Sequence, residues 1–461
     1  MKRKFAKLIN TIVLFLKVLL YVSLLATFML MFSVNYFAVI RLSRTMATTV
    51  LTFVATGLMM VNIYGGYDIG RRKSKPIIYS LFLAFMITDI VTYGQLLIMS
   101  TIRPGDFAFQ MSDIGILVGV ILVQLVIIVA FAYGGNELFF AIIPPEKTVI
   151  ITTKESNLEK LSAGLRKYKK QYEVCRVVDY RRSDLKEILA PMSAAVLYDL
   201  PREEREELVT YCYEHMINIY INPEISDVVE NFAEHYLLDD VSLLNANVQG
   251  LTYEQRFFKR GFDFGLSILL LILCSPVFLV CAILIKLDDG GKVFFVQKRA
   301  TRGGRVFKVV KFRTMKENCE NVSATEDDDR ITKIGHVLRK YRLDELPQLL
   351  NILLGDMSFV GPRPEMMENV RNYTRDLPEF KYRLKVKAGL TGLAQVVGKY
   401  NTSPKDKLIL DMMYIERYSF WRDIKLLFQT VLVLLKKDST EGFKKNQNTF
   451  EVEETPKEFR L

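Results

Sequence analysis

Two adjacent carboxylates, Asp344 and Glu345, are the residues of this sequence best suited to phosphate chemistry. They open the apolar run 346–354, and an acid at a helix N-terminus sits where backbone N–H groups attract anions. Asp344 could attack phosphorus covalently while Glu345 holds Mg²⁺. An Asp N-cap followed by Pro347 also describes an ordinary helix start. Taken alone, the pair leaves both interpretations open.

A strongly basic segment precedes the acid pair. Between residues 289 and 317 there are nine Lys or Arg residues and no acid. A glycine pair divides two strand-like runs, 293–296 and 306–312, so the segment is predicted to form a hairpin. Lys311 and Arg313, two residues apart, are predicted to share a strand face and bind a diphosphate. The basic surface could equally rest on anionic lipid head groups, and both roles can hold at once.

Two further arginines extend this set of cations. Arg339 lies on the helical turn before the acid pair, where it could neutralise a phosphoryl oxygen. Arg363 is fixed between two prolines, at positions 362 and 364. Such a preorganised guanidinium suits phosphate recognition, although the same tetrapeptide could be a simple turn.

The composition limits the class of protein. The chain of 461 residues is long enough for two or three domains, is 50% apolar and carries a formal net charge of +11. That charge suits nucleic acid, anionic lipid or phosphorylated substrates. The aromatic residues lie in apolar runs rather than among the basic clusters, so we expect no nucleic-acid partner. Five cysteines without a CxxC pair fit a reducing cytosol, and three histidines favour Mg²⁺ with oxygen ligands over a His-rich metal centre.

The N-terminal region is predicted to cross a membrane. Four windows are long and apolar enough to do so, namely 18–40, 45–67, 76–102 and 114–136. We predict a four-helix transmembrane region over residues 1–140, anchored rather than cleaved, since no small-residue cleavage site follows the first span. The positive-inside rule puts the N-terminus and everything after residue 140 in the cytoplasm. Asp89 interrupts the third window and is expected to bond to a neighbouring helix rather than mark a transport path.

Residues 147–245 alternate strand-like and helix-like runs. The predicted strands are 149–153, 174–178, 194–198 and 217–221. This pattern predicts a parallel, doubly wound, Rossmann-like α/β sheet. The first strand-to-helix turn, 152–156, has no glycine, although a backbone that approaches a pyrophosphate needs glycines there. We therefore predict a degenerate domain with a structural, regulatory or oligomerising role, through which a homodimer could form.

The apolar run 264–285 is long enough for a fifth span. Pro276 lies at its midpoint beside Ser275, and an interior proline removes a hydrogen bond and kinks a helix. Basic residues flank both ends, which suits a segment whose two ends face one compartment. A kinked transmembrane helix is the alternative. With the phosphate-binding residues downstream, we predict a re-entrant membrane helix.

The C-terminal half contains four ordered motifs: Lys311-Phe312-Arg313-Thr314-Met315, Leu343-Asp344-Glu345-Leu346-Pro347-Gln348, Gly355-Asp356-Met357-Ser358-Phe359-Val360-Gly361-Pro362-Arg363-Pro364 and Gly389-Leu390-Thr391-Gly392-Leu393-Ala394-Gln395. They resemble the bacterial sugar transferase family of polyprenyl-phosphate sugar-1-phosphate transferases, also called monotopic phosphoglycosyl transferases. The resemblance covers residues 256–443. The spans and the degenerate domain ahead of it resemble the large subgroup of that family.

This resemblance implies an α+β catalytic domain over 256–443 with a re-entrant helix broken at Ser275 and Pro276. It also implies an Asp nucleophile, matching Asp344, that forms a phosphosugar-enzyme intermediate, and a Mg²⁺-binding Glu, matching Glu345. The phosphate and substrate contacts would match Lys311, Arg313, Arg339, Arg363 and Gln395.

The expected function is transfer of a sugar 1-phosphate from a UDP-sugar to polyprenyl (undecaprenyl) phosphate at the cytoplasmic face of the bacterial inner membrane. It would release UMP and begin exopolysaccharide, capsule or O-antigen synthesis. A membrane-anchored nucleotide-sugar oxidoreductase and a non-catalytic scaffold are the alternatives. Ala388 and Val397 replace a proline and an asparagine common in the family, which puts donor identity in doubt. Residues 405–437 could form interfacial or core helices, and 444–461 are predicted to be disordered.

Overall fold

The computed structural model describes residues 2–100, 113–246, 250–316, 328–398 and 402–434. They form two compact units, which meet in the sequence at Asn222 and Pro223. The predicted disordered tail, 444–461, lies outside the described residues, and so does the end of the third predicted span.

The first unit begins with four long apolar helices. These are α1 (Lys2–Phe32), α2 (Arg44–Tyr64), α3 (Ser74–Ser100) and α4 (Ile114–Ile142). Each contains a stretch long and apolar enough to cross a membrane, as expected of a membrane protein. The first differs from its predicted span, 18–40, because α1 ends at Phe32 and a 3₁₀ turn, Phe37–Val39, follows it. The uncharged window had excluded Lys17, whose ammonium lies 5.7 Å from the centre of the Tyr67 ring.

Asp89 lies fully buried among these helices. The side-chain amide of Gln124 on α4 donates to Asp89 Oδ1 over 3.2 Å and to the backbone oxygen of Leu24 on α1 over 3.1 Å. The expectation that Asp89 bonds to a neighbouring helix is therefore confirmed.

An α/β region follows in the same unit. It comprises β1 (Glu146–Thr152), α5 (Glu159–Lys167), β2 (Tyr172–Asp179), α6 (Leu185–Leu189), β3 (Ala194–Leu197), α7 (Arg202–Glu214) and β4 (Asn218–Ile221). All pairings are parallel, in the order β2-β1-β3-β4. Leu161 and Leu165 of α5 pack on one side of the sheet, and Ile188 of α6 and Leu208 of α7 pack with residues of the other. The predicted parallel, doubly wound α/β region is confirmed.

The second unit contains the remaining elements. They are α8 (Ile225–Phe232), β5 (Glu234–Leu238), β6 (Val241–Asn245), α9 (Tyr253–Asp289), β7 (Phe294–Ala300), β8 (Val306–Phe312), α10 (Lys333–Lys340), α11 (Gln348–Leu354), β9 (Ser358–Val360), α12 (Met367–Asp376), β10 (Gly389–Thr391), α13 (Leu393–Val397), α14 (Pro404–Glu416) and α15 (Phe420–Leu434). A 3₁₀ helix, Pro378–Lys385, lies between α12 and β10.

Residues 223–245 belong to this second unit, although the predicted middle domain, 147–245, had included them. The reason is packing: Val228 of α8 is buried with Phe380, Leu408 and Met412 of the second unit. The antiparallel β5–β6 hairpin that follows α8 was not predicted.

The apolar run 264–285 lies within the single helix α9 of 37 residues. Thr252 and Gln255 form a capping box at its start, and Gly290, with a φ of +72°, ends it in the left-handed conformation that glycine tolerates. The helix continues through Pro276, so Ser275 and Pro276 do not separate two helices as predicted. The Ser275 hydroxyl donates to the Ile272 backbone oxygen over 2.8 Å, which satisfies one acceptor near the proline.

The basic segment forms the predicted hairpin. Strands β7 and β8 pair in antiparallel register from Phe294 with Phe312 to Ala300 with Val306. The connection contains Gly303 and Gly304, both at positive φ, where a residue with a Cβ would be strained.

Candidate functional site

The acid pair lies in a 3₁₀ turn, Leu343–Glu345, between α10 and α11. The residue before it, Arg342, has a φ of +54°, in the left-handed region that non-glycine residues rarely adopt. Helix α11 begins at Gln348 with Pro347 at its N-cap. Asp344 therefore does not cap that helix, so the interpretation of the pair as an ordinary helix start is wrong. The expectation that the pair lies at the N-terminus of a helix, where backbone N–H groups attract anions, is wrong for the same reason.

Glu345 binds two cations from other elements. Its Oε1 accepts hydrogen bonds from Lys311 Nζ on β8, over 3.0 Å, and from Arg363 Nη2 in the loop after β9, over 2.8 Å. Burial of Glu345 disfavours its charge, but the charges of Arg363 and Lys311 outweigh that effect, and its pKa lies well below the ordinary value. Glu345 is therefore ionised at neutral pH.

Asp344 is half-buried and has a different environment. Within the described part of the chain its carboxylate makes no hydrogen bond or ion pair. Burial, and then the adjacent charge of Glu345, raise the pKa of Asp344 to about 6, while Lys311, Arg339 and Arg363 act in the opposite direction. At neutral pH this unbonded carboxylate is mostly ionised, which is the state that a nucleophile requires.

Arg339 joins the cations near the acid pair. Its Nε donates to Thr314 Oγ1 over 2.9 Å, and its charge acts on Asp344. The structure therefore brings three predicted cations, Lys311, Arg339 and Arg363, around the two carboxylates.

Arg313 is not part of this group. Strand β8 ends at Phe312, before Arg313, so Arg313 is not a strand residue as Lys311 is. Its guanidinium binds both carboxylate oxygens of Asp289, at the end of α9, and donates to the backbone oxygen of Lys292. With its side chain only 7% exposed, Arg313 fixes the end of α9 rather than lining the site.

Gln395 makes no hydrogen bond to the acid pair within the described part of the chain. Its Nε2 donates to the Leu390 backbone oxygen over 2.9 Å, and its Oε1 is buried without a partner among the described residues. Of the two departures from the family pattern, Ala388 is buried in the core, where its N–H donates to Thr301 Oγ1, and Val397 is exposed.

A buried ionic network fixes the loop that carries Arg363. Arg383 donates to the Arg363 backbone oxygen over 3.0 Å and pairs with Asp411 over 2.8 Å, and both partners of that pair are buried. Glu365 lies 3.4 Å from the ammonium of Lys407 and 3.8 Å from Arg383. No local sequence pattern indicates this network, because Arg363 and Glu365 are distant along the chain from Arg383, Lys407 and Asp411.

Two cleft residues were missed as site residues. Arg299 and Gln348 line a small cleft; its other lining residues are Val309, Lys311, Glu345, Arg363 and Pro364. A signal existed for Arg299 alone. The hairpin register pairs Arg299 with Phe307 and Lys311 with Phe295, which puts both cations on one face of the hairpin.

The donor atoms for a metal ion are few. In the described ranges there is no group of three His, Cys, Asp or Glu side chains that could hold a metal. The acid pair nevertheless fits Mg²⁺, which usually takes one or two carboxylates and completes its shell with substrate phosphates and water. Glu345 uses only Oε1 for its hydrogen bonds to Lys311 and Arg363, which leaves its second oxygen for a cation.

Known proteins resemble this chain, and the family match lies within its second unit. A family model described as bacterial sugar transferase matches residues 254–437. The chain is 35% identical over 274 residues to the UDP-N-acetylgalactosamine-undecaprenyl-phosphate N-acetylgalactosaminephosphotransferase of Aeromonas hydrophila, covering 56% of this chain and 63% of that protein. It is 41% identical over 189 residues to the UDP-glucose:undecaprenyl-phosphate glucose-1-phosphate transferase of Caulobacter vibrioides, covering 39% and 71% respectively.

The Escherichia coli protein with that same glucose-1-phosphate transferase name is 43% identical over 184 residues, covering 38% of this chain and 40% of its own length. The chain thus spans between 40% and 71% of these three relatives. The matched region contains the acid pair and every cation that surrounds it.

Proposed function

This chain belongs to the bacterial sugar transferase family, and from that premise we propose that it transfers a sugar 1-phosphate from a UDP-sugar to undecaprenyl (polyprenyl) phosphate. The relatives of Aeromonas hydrophila and Caulobacter vibrioides are named for transfers to undecaprenyl phosphate. The observation that carries the proposal for this chain is the asymmetry of the acid pair. Among the residues that the structure describes, Asp344 makes no hydrogen bond or ion pair, while Glu345 is held by Lys311 and Arg363.

The transfer proceeds in two steps at Asp344. Its carboxylate oxygen attacks the phosphorus that bears the sugar, and the bond from that phosphorus to the UMP oxygen breaks, so UMP leaves. A phosphate oxygen of the lipid then attacks the same phosphorus and the Asp344 oxygen leaves, which regenerates the carboxylate. Two successive displacements allow the soluble donor and the lipid acceptor to react without meeting.

The surrounding cations stabilise the negative charge that develops on the phosphoryl oxygens. Lys311, Arg339 and Arg363 come from three different elements and act without reorganisation, because their positions are fixed by the fold. Glu345 is assigned as the protein ligand of Mg²⁺, which supplies charge neutralisation at the diphosphate when bound.

Mass spectrometry of the purified protein with a panel of UDP-sugars and Mg²⁺, without lipid, tests this function. We expect a mass increase equal to one sugar phosphate on Asp344, together with released UMP. If no donor gives an adduct, and adding polyprenyl phosphate releases no UMP from any of them, the transferase assignment fails and the scaffold alternative is favoured.

The rate should depend on the protonation of Asp344. Its pKa is raised from 3.8 to about 6, so the nucleophilic carboxylate is present above that pH and is lost below it. We expect kcat/KM for the UDP-sugar, measured from UMP release, to fall about tenfold per pH unit below pH 6, because kcat/KM reports the pKa of the free enzyme. A rate that is constant from pH 7.5 to pH 5 would contradict this assignment.

We also propose that α9 re-enters the inner membrane from the cytoplasmic side. Both of its ends bond to the same compact unit: Lys259 pairs with Asp423 on α15, and Asp289 with Arg313 after β8. A helix that crossed the bilayer would have its ends on opposite sides of a core about 30 Å thick. Ile272 and Leu273, near Pro276 at the middle of the apolar run, are mostly exposed, as expected of side chains that contact lipid.

Cysteine labelling distinguishes re-entry from crossing. We expect Tyr253→Cys, at the start of α9, and Lys292→Cys, after its end, to react with a membrane-impermeant maleimide from the cytoplasmic side. The experiment uses a background in which the five native cysteines are replaced. Reaction of the two positions from opposite sides would indicate a kinked transmembrane helix.

A further inference from the structure

The cleft beside the acid pair contains the guanidinium of Arg299, which is not one of the three cations that surround the two carboxylates. Arg299 on β7 donates from Nη1 to the Pro364 backbone oxygen over 3.1 Å and from Nη2 to Gln297 Oε1 over 2.5 Å. Both acceptors are uncharged. Arg299 lines the same cleft as Lys311, Glu345 and Arg363.

The charge of Arg299 is not neutralised by a direct partner. Across the described ranges, no carboxylate lies within ion-pair distance of it, whereas Lys311 and Arg363 both pair with Glu345. Burial, and then the neighbouring charge of Arg363, lower the pKa of Arg299 to about 10. Glu365 and Glu345 act in the opposite direction, but Glu345 pairs directly with Arg363 rather than with Arg299, so burial and the repulsion between the two guanidinium groups remain the larger effects on Arg299.

An anion bound to Arg299 would offset the repulsion between its positive charge and that of Arg363. A UDP-sugar carries two phosphoryl groups, of which Asp344 must contact the one that bears the sugar. The cations nearest that position, Lys311 and Arg363, are already partly neutralised by Glu345. The second phosphoryl group leaves as part of UMP and needs a cation that is not already paired with Glu345. Arg299 is such a cation and lies in the same cleft.

We propose that Arg299 is a binding residue for the nucleotide donor and contacts the phosphoryl group that leaves with UMP. This proposal rests on the proposed function, since it takes a UDP-sugar as the donor. Arg299 would hold the donor in position for attack and stabilise the leaving phosphate as its charge develops.

Binding of UMP and of uridine to the detergent-solubilised full-length protein, measured by calorimetry, tests this without turnover. We expect Arg299→Gln to weaken UMP binding roughly 10- to 100-fold, the range for a lost charged hydrogen bond, and to leave uridine binding unchanged. A purely structural role for Arg299 would weaken both ligands alike. Equal UMP affinity in the wild type and the variant would overturn the proposal.

Matched variants complete the experiment. Lys298→Gln removes the same charge from the neighbouring, exposed position on the opposite face of β7 and should not change UMP affinity. Arg299→Lys keeps the charge but loses the guanidinium geometry and should weaken UMP binding several-fold, which gives a readout if Arg299→Gln does not fold. The two proposals can fail separately. If the wild-type protein forms the Asp344 adduct but the Arg299→Lys variant binds UMP as tightly as the wild type, the role of Arg299 is refuted and the proposed function stands.

Discussion

Replacement of Asp344 by Asn is expected to reduce turnover by roughly 10⁴-fold or more, because the loss of a covalent nucleophile removes the whole two-step route. Asn has nearly the same shape as Asp but no anionic oxygen to attack phosphorus. The fold should tolerate the change, since the Asp344 carboxylate makes no hydrogen bond or ion pair in the described part of the chain. UMP release from a UDP-sugar in the presence of polyprenyl phosphate and Mg²⁺ measures the rate.

Asp356→Asn is the matched control. It makes the same chemical change in the ion pair between Asp356 and Arg305. The Arg305 side chain is 59% exposed, and ion pairs that are screened by water contribute little to stability. We expect activity within about twofold of the wild type, since exposed ion pairs contribute roughly 0–1 kcal/mol. If Asp344→Asn kept substantial activity while mass spectrometry showed no adduct on the wild type, direct transfer between donor and lipid would replace the covalent mechanism.

Replacement of Arg383 by Met is expected to destabilise the second unit by about 3–5 kcal/mol, since it leaves a buried carboxylate without its partner. Asp411 would lose its ion pair, and Arg383 and Asp411 have side chains only 4% and 2% exposed. The variant would also release the backbone oxygen of Arg363, so activity should fall in whatever protein remains folded. For a unit of this size the expected fall in Tm is about 6–20 °C.

The double variant Arg383→Met/Asp411→Leu tests the cause of that loss. It removes both charges, so the desolvation penalty that the single variant leaves uncompensated disappears, and Tm should recover in part. The double variant should regain a smaller fraction of its lost activity than of its lost Tm, because neither substitution restores the hydrogen bond to the Arg363 backbone oxygen. A single variant with unchanged Tm, or a double variant less stable than the single one, would contradict the importance assigned to the buried pair.

Local patterns in the sequence predicted those parts of the structure that depend on neighbours along the chain. Uncharged windows located the apolar helices, because a stretch of about 20 apolar residues can be recognised wherever it lies in the sequence. Alternating apolar and charged runs indicated the parallel α/β region, and a glycine pair between strand-like runs indicated the β7–β8 hairpin. The predicted first span was displaced because a window without charges had to begin after Lys17, which lies in the middle of α1, and therefore extended into the uncharged residues that follow Phe32.

Motif residues alone did not determine which cations meet the acid pair. Lys311 and Arg313 looked equivalent in the sequence, but β8 ends between them and Asp289 pairs with the second. In the sequence, Arg299 does not differ from the other basic residues of its segment. Only the register of the β7–β8 hairpin shows that it shares a face with Lys311.

The sequence by itself therefore determined the family, the apolar helices, the parallel α/β pattern, the β7–β8 hairpin and the position of the acid pair, because each follows from residue type and spacing over short distances. Only the tertiary structure decided which charges are neutralised and which remain available. Glu345 is bound by cations from two other elements, Asp344 has no bonded partner in the described ranges, and Arg383 supports Arg363 from 20 residues away. A charge interacts most strongly with whatever lies nearest in space, and distances between residues far apart in the chain are fixed only when the core packs.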